Sequence, residues 1–210
     1  MLDWIIKNYV EITGALLGIL YLWFEIKQNK LLWPLGILTS AFYIFIFFSA
    51  KFYADMGLNV YYVVISIYGW YYWMKGGKRK ESEEQSENEV VSEELPVSRI
   101  TTRLALTLLG VTIPVFIVIA YVLVSWTDSP VPYWDAFTTA LSITATWMLA
   151  RKILEQWLVW ILVNAVSLGL YIYKGLYPTV VLFFFYTVLA IVGYYRWRRD
   201  YDKQFEHAAD

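Results

Sequence analysis

Long apolar runs alternate with short polar breaks along the whole chain. A membrane-spanning helix needs roughly 17–25 mostly apolar residues. Runs of that kind lie at about 8–24, 31–50, 56–74, 104–126, 134–150, 156–173 and 175–197, which predicts seven spans. The second has no charged residue, and the fourth is broken only by Pro114, where a bend is expected. The fifth is short, with Asp135 at its start and Arg151 just past its end. Pro34 and Pro178 fall in first turns, where a missing N–H costs little. Tyr and Trp crowd the span ends, as at Tyr68–Trp73 and Tyr194–Trp197, forming the belt expected where lipid meets water. Residues 76–95, GGKRKESEEQSENEVVSEEL, have almost nothing to bury and read as a disordered tether. The tail after Arg199 reads the same way.

The apolar pattern is written twice. Residues 10–73 and 134–197 align without a gap at an offset of 124. Trp23 falls on Trp147, Trp33 on Trp157, Tyr53 on Tyr177 and Tyr62 on Tyr186. Gly69, Tyr71 and Trp73 fall on Gly193, Tyr195 and Trp197, and Lys27 meets Arg151. Spans 1–3 and 5–7 are therefore the copies, and span 4 belongs to neither. An odd helix after three spans gives both triplets the same orientation, so the repeats are parallel about an axis along the membrane normal. The expected fold is an all-α polytopic membrane protein of seven transmembrane helices in a 3+1+3 order. Its divisions are a first triplet (1–74), a linker (75–103), a connecting helix (104–126), a second triplet (134–197) and a tail (198–210). Two such bundles face to face suggest a solute pathway at their interface.

Charge fixes the orientation. With seven spans, the side holding the C-terminus receives Lys27, Lys30, Lys75, Lys78, Arg79, Lys80, Arg99, Arg103, Arg151, Lys152, Arg196, Arg198, Arg199 and Lys203. The other side receives Lys7, Lys51 and Lys174. A bias of that size places the N-terminus outside and the C-terminus in the cytoplasm. The N-terminus shows no cleavable signal, so the first helix is itself the targeting segment. A net charge of −1 gives no reason to expect a nucleic-acid partner, and the absence of cysteine excludes disulfides and thiol chemistry. No phosphate-binding loop, catalytic carboxylate pair or metal-ligand cluster stands out, so neither an enzyme nor a cofactor is expected.

The candidate ligand contacts are amides and rings. Asn59 and Asn164 lie deep in spans 3 and 6, where an amide must find a hydrogen-bond partner, in a ligand or in a neighbouring helix. Trp157, Trp160 and Asn164 recur at spacings of three and four, on one face of span 6. Trp33, the repeat mate of Trp157, and the mates Tyr62 and Tyr186 complete the set, with interfacial anchoring or core packing as their plainer reading. Ser66, Thr144 and Ser167 are weaker candidates, since small polar residues are common at helix contacts. The copies differ at the amides: Asn59 aligns with Phe183, and Asn164 with Ser40. The span centres hold no Arg or Lys to meet a phosphate, so a dephosphorylated ligand fits better. Stacked rings suit a delocalised cationic ring by cation–π attraction. Glu11, Glu25, Asp55 and Asp135 fall near span ends and His207 in the tail, which argues for facilitated diffusion over proton coupling.

Several of these motifs together resemble a known family. They are the YGWYYW of Tyr68–Trp73, the Arg151-Lys152 pair, Glu155 with Trp157 and Trp160, Asn164, and Tyr173-Lys174-Gly175. In this order they are similar to the PnuC vitamin transporters, and the resemblance covers both triplets. It implies a SWEET-type seven-span fold in a bacterial inner membrane, and uptake of nicotinamide riboside trapped by a cytoplasmic kinase. Relatives in the family are assigned to thiamine and to riboflavin. Nicotinamide riboside members tend to carry Gln where this chain has Asn59, which leaves thiamine as the alternative. SWEET-like sugar transport and a non-conducting membrane sensor are the remaining readings. The lipid bilayer is the expected surrounding, and a homo-oligomer is compatible with the sequence.

Overall fold

A computed structural model describes residues 9–49, 53–75 and 95–206. Those residues form seven helices: α1 Tyr9–Ile26, α2 Leu32–Ser49, α3 Tyr53–Lys75, α4 Thr102–Trp126, α5 Pro132–Ala150, α6 Gln156–Tyr173 and α7 Tyr177–Glu206. Each matches one apolar run, and the only extended pairing described is a single bridge between Ser98 and Ile153. Residues 76–94 of the expected tether, and 207–210, lie outside the described residues.

The helix ends have local causes. Thr101 caps α4, its hydroxyl accepting from Leu104 N–H at 3.3 Å. Proline opens α5, and Asp135 in its first turn complements the helix dipole. Helix α6 ends with Gly175 at φ +71°, and Leu176 N–H reaches back to Tyr171 O at 2.9 Å. Helix α4 runs through Pro114. Helix α7 outruns the sequence expectation: residues 198–206, read as tail, continue the helix. Lys203 in its last turn favours the dipole, and Arg99 lies 6.0 Å from the Tyr201 ring centroid.

Three helices, α4, α6 and α7, are long and apolar enough to cross a membrane, and Leu16–Ile26 and Leu32–Phe45 are shorter apolar stretches. On α4, Leu106, Leu109, Ile117, Val118 and Tyr121 are all more than half exposed. An apolar helix so little covered by protein is solvated by lipid. The chain is an integral membrane protein.

The chain divides into two compact units, Met1–Tyr71 and Tyr72–Asp210. In the first, α1 packs on α2; in the second, α4 packs on α5, α5 on α6 and α6 on α7. Helix α4 is thus packed within the second unit. Thr112 of α4 and Thr144 of α5 share a 2.6 Å hydrogen bond between hydroxyls. Each hydroxyl has one proton, so one donates across the pair and the other to its own helix, with Leu108 O (2.7 Å) and Ala140 O (3.2 Å) in reach. Thr112→Val therefore costs only about 0.6 kcal/mol, typical of interhelical hydrogen bonds in membranes. A small fall in thermal midpoint in detergent checks it.

Each unit repeats the same local devices at positions 124 apart. Gln28 and Lys152 both have positive φ, +54° and +52°. In both turns the residue after them bonds back five places: Asn29 N–H to Phe24 O (2.8 Å) and Ile153 N–H to Met148 O (3.0 Å). These are Schellman ends with a bulky residue where glycine is usual, at a cost of about 1–2 kcal/mol each. Lys27 stands 4.3 Å from the Trp23 ring, and its mate Arg151 stands 5.8 Å from Trp147. Trp33 and Trp157, both 0% exposed, lie over Gly69 and Gly193. A Cβ at Gly69 would sit 2.5 Å from Trp33 Cζ2, and one at Gly193 2.6 Å from Trp157 Cζ2. Each triplet thus seats the tryptophan of its second helix on a glycine of its third.

Candidate functional site

Helix α6 begins at Gln156, one residue before its first candidate ring, so the Arg151–Glu155 turn decides which face it presents. Trp157, Trp160, Asn164 and Ser167 follow at helical spacing on one face. Trp157 (0% exposed), Asn164 (6%) and Ser167 (7%) are buried. Trp157 meets Trp197 of α7 edge to face, ring centroids 5.6 Å apart, and lies over Gly193. Its ring is a packing element.

Its polar edge is a different matter. The indole N–H groups of Trp157 and Trp160 are buried with no hydrogen-bond partner. The Asn164 carboxamide likewise makes no hydrogen bond among the described residues. Buried indole donors normally find a partner, and an unmade bond costs about 1–3 kcal/mol. In a bilayer, water is not there to make up the loss. Three unspent polar groups thus stand on one face of α6, spread over about 10 Å of helix at 1.5 Å per residue. Facing groups of this kind can bind a ligand rich in acceptors and hydroxyls without breaking a bond the protein already has.

Beside this face runs a chain of rings. Tyr171 of α6 lies 4.8 Å from Phe183 of α7, and Phe183 lies 5.5 Å from Tyr186. The second unit therefore brings Trp157, Trp160 and Asn164 onto one helix face, with Tyr186 on the adjoining helix. In the first unit, Asn59 and Tyr62 are half-buried and three residues apart on α3, and Tyr62 lies 5.6 Å from Tyr61. Asn59 is engaged with a partner, unlike Asn164. Trp33 sits two turns along at Gly69, so its ring, like that of Trp157, fills a helix contact. Of the weaker candidates, Thr144 is spent on Thr112, while Ser66 (4% exposed) lies 3.1 Å from where a Cβ on Gly36 would fall.

Two features escape the sequence. Glu25, near the end of α1, is 2% exposed and partnered, the one buried carboxylate among the described residues. Lys152, one of the lysines that set the charge bias, is also 2% exposed. Its ammonium donates to Leu95 O at 2.7 Å and lies 4.6 Å from the Trp73 ring. At the opposite end of α5, Asp135 accepts from Ser129 (2.6 Å) and pairs with Lys174 at 3.5 Å.

Comparison with known proteins gives a consistent picture. A family profile described as "Nicotinamide mononucleotide transporter" matches residues 8–199. The nicotinamide riboside transporter PnuC of Escherichia coli (strain K12) is 24% identical over 209 residues, covering 90% of this chain and 85% of that protein. The riboflavin/roseoflavin transporter RibM of Streptomyces davaonensis is also 24% identical, over 194 residues, covering 90% of this chain and 86% of that protein. Among solved structures, a crystal structure of the vitamin B3 transporter PnuC superposes with a TM-score of 0.68 at 22% identity. It covers 93% of this chain and 83% of the other.

Proposed function

Since this chain belongs to the PnuC family of membrane transporters, a transporter family and not an enzyme family, we propose that it carries nicotinamide riboside by facilitated diffusion. The N-terminus is outside and the C-terminus cytoplasmic, on the strength of the 14-to-3 bias in Lys and Arg summed above. Phosphorylation by a cytoplasmic kinase then traps the substrate. The triplets are parallel repeats, and transport is by alternating access.

The observation that carries the reading is the pair of buried indole N–H groups without a hydrogen-bond partner, Trp157 and Trp160, with buried Asn164 on the same face of α6. Ribose hydroxyls and a carboxamide are partners of the right kind. Tyr186 adds a ring on α7, and Asn59 and Tyr62 are the candidate contacts of the first unit, on α3. Trp33 and Trp157 act mainly by shaping the walls. The choice of riboside over mononucleotide rests on charge. In the described helices Arg and Lys are confined to Arg103 at the start of α4, Lys75 at the end of α3 and the last third of α7 from Arg196 on, away from the centres of the apolar runs. A phosphate dianion in the bilayer core would be left unpaired.

One residue favours a second reading. Asn59 stands where the longer Gln is usual in nicotinamide riboside carriers, and a shorter amide suits a ligand of different outline. Thiamine, also a cationic ring with a hydroxyl, is that alternative.

Uptake of labelled nicotinamide riboside into proteoliposomes tests the proposal, with unlabelled riboside, mononucleotide and thiamine as competitors. Riboside competes and mononucleotide does not. Uptake that vanishes when the proton gradient is dissipated would overturn facilitated diffusion. Buried Glu25 is then the group to examine, through Glu25→Gln.

A further inference from the structure

The turn that launches α6 is fastened by chain from beyond the far end of α4. Ser98 N–H donates to Lys152 O at 2.9 Å, and Leu154 N–H donates to Ser98 O at 2.9 Å. This is a parallel bridge between Ser98 and Ile153. Glu155 takes two further bonds from the same segment, from Ile100 N–H at 2.8 Å and Arg99 Nε at 3.0 Å. The carboxylate in turn pushes the exposed Arg99 guanidinium further above its usual range. Lys152 closes the arrangement from within by donating to Leu95 O. Leu95 and Val97 are buried at 9% and 3% exposure. The segment read from sequence as the end of a tether is therefore docked.

The repeat mate of this turn has the same backbone but not the residues that make this fastening. Subtracting 124, Glu155 corresponds to Leu31 and Lys152 to Gln28, which supply neither a carboxylate nor an ammonium. The mates of Trp160 and Asn164 are Gly36 and Ser40. The copy with the fastened turn is thus the copy with the unspent polar face. A helix pinned at its first residue can neither slide nor rotate, and the aim of a side chain two turns in depends on that setting.

We infer that residues 95–101, through Lys152 and Glu155, form a positioning clip that sets the ligand-facing side of α6. The clip touches no ligand; it acts through Trp160 and Asn164, so the inference rests on the reading of α6 as the binding face. The strained backbone at Lys152 fits this role, because left-handed conformations in bulky residues persist where surrounding contacts hold them.

The test uses the full chain in detergent, with nicotinamide riboside as titrant. Glu155→Ala removes the Arg99 and Ile100 bonds and raises Kd roughly tenfold through lost preorganisation. A disulfide then replaces the clip. Bridged residues on neighbouring strands are about 4.8 Å apart, within the 4.4–6.8 Å that a disulfide spans. The chain has no cysteine, so Ser98→Cys with Ile153→Cys gives one unambiguous bond. In the Glu155→Ala background, oxidation of that pair restores Kd to within about twofold, and reduction abolishes the rescue. A residue that merely kept the fold intact would show no redox-dependent affinity. Where Glu155→Ala does not yield folded protein, Glu155→Gln serves in the same comparison. The clip is refuted if Glu155 variants bind normally while Asn164→Ala does not, or if the formed disulfide leaves affinity impaired. If Asn164→Ala and Trp160→Phe both bind normally, the α6 site itself is wrong and the clip goes with it.

Discussion

Adding one methyl group at Gly193 destabilises the protein by about 1–3 kcal/mol, and shortening Trp157 recovers most of the loss. The new Cβ would lie 2.6 Å from both Cη2 and Cζ2 of Trp157, closer than carbon atoms tolerate. The ring cannot retreat. It is 0% exposed and braced edge-on by Trp197 at 5.6 Å. Interiors packed this densely absorb added volume only by straining rotamers or shifting helices. Against a total stability of about 5–15 kcal/mol the loss is large. For a chain of this size, at about 2–4 °C per kcal/mol, it amounts to roughly 2–12 °C in thermal midpoint. Trp157→Phe keeps a ring but stops short of Cη2 and Cζ2, so the double variant is more stable than the sum of the single changes. That non-additivity is the signature of contact. Gly69→Ala with Trp33→Phe repeats the result in the first unit, where the same clash recurs at 2.5 Å from Cζ2. Thermal unfolding in detergent, followed by tryptophan fluorescence, supplies all the numbers. Strict additivity at either pair would mean that the rings do not sit on these glycines.

The helices were legible in the sequence because a bilayer leaves the chain little choice. A backbone without water must bond to itself, so each long apolar run has one available structure. Residues 124 apart share local geometry, as Gln28 with Lys152 and Trp33 with Trp157 do. Pairing across the fold was not legible. A tryptophan near a helix start reads equally well as an interfacial anchor, a ligand ring or a packing wedge. Only the glycine opposite decides, and that glycine is 36 positions further on (33 to 69, and 157 to 193). The recurrence of Gly69 and Gly193 at the same offset was the available signal. Lys152 carried none. In sequence it is one more basic residue in a turn, and its burial depends on the carbonyl of Leu95, 57 residues earlier. The end of α7 failed for a simpler reason: charge marks where a helix leaves the lipid, not where it stops being a helix.

Asn164→Ala abolishes most ligand binding while sparing the fold, and this separation follows from what Asn164 lacks. Most buried amides in a membrane protein tie helices together, and removing one weakens the bundle. Asn164 is buried, at 6% exposure, and no hydrogen bond of its carboxamide is described that alanine would lose. The thermal midpoint of Asn164→Ala without ligand therefore stays at or above that of the parent. Affinity for nicotinamide riboside falls, because a ligand amide or hydroxyl then meets a methyl group. A lost bond to a buried ligand group costs about 1–3 kcal/mol, roughly 10- to 100-fold in Kd. Trp160→Phe makes a finer cut. It keeps an aromatic ring, deletes the buried indole donor that has no partner in the protein, and weakens binding about tenfold on the same reasoning. Thr112→Val is the converse control, since its hydroxyl is spent on Thr144 and lies on α4. It lowers the midpoint slightly and leaves Kd alone. Titration and melting of the three variants separate the cases. Should Asn164→Ala instead lose stability with Kd unchanged, the amide is glue between helices, and the ligand is held elsewhere.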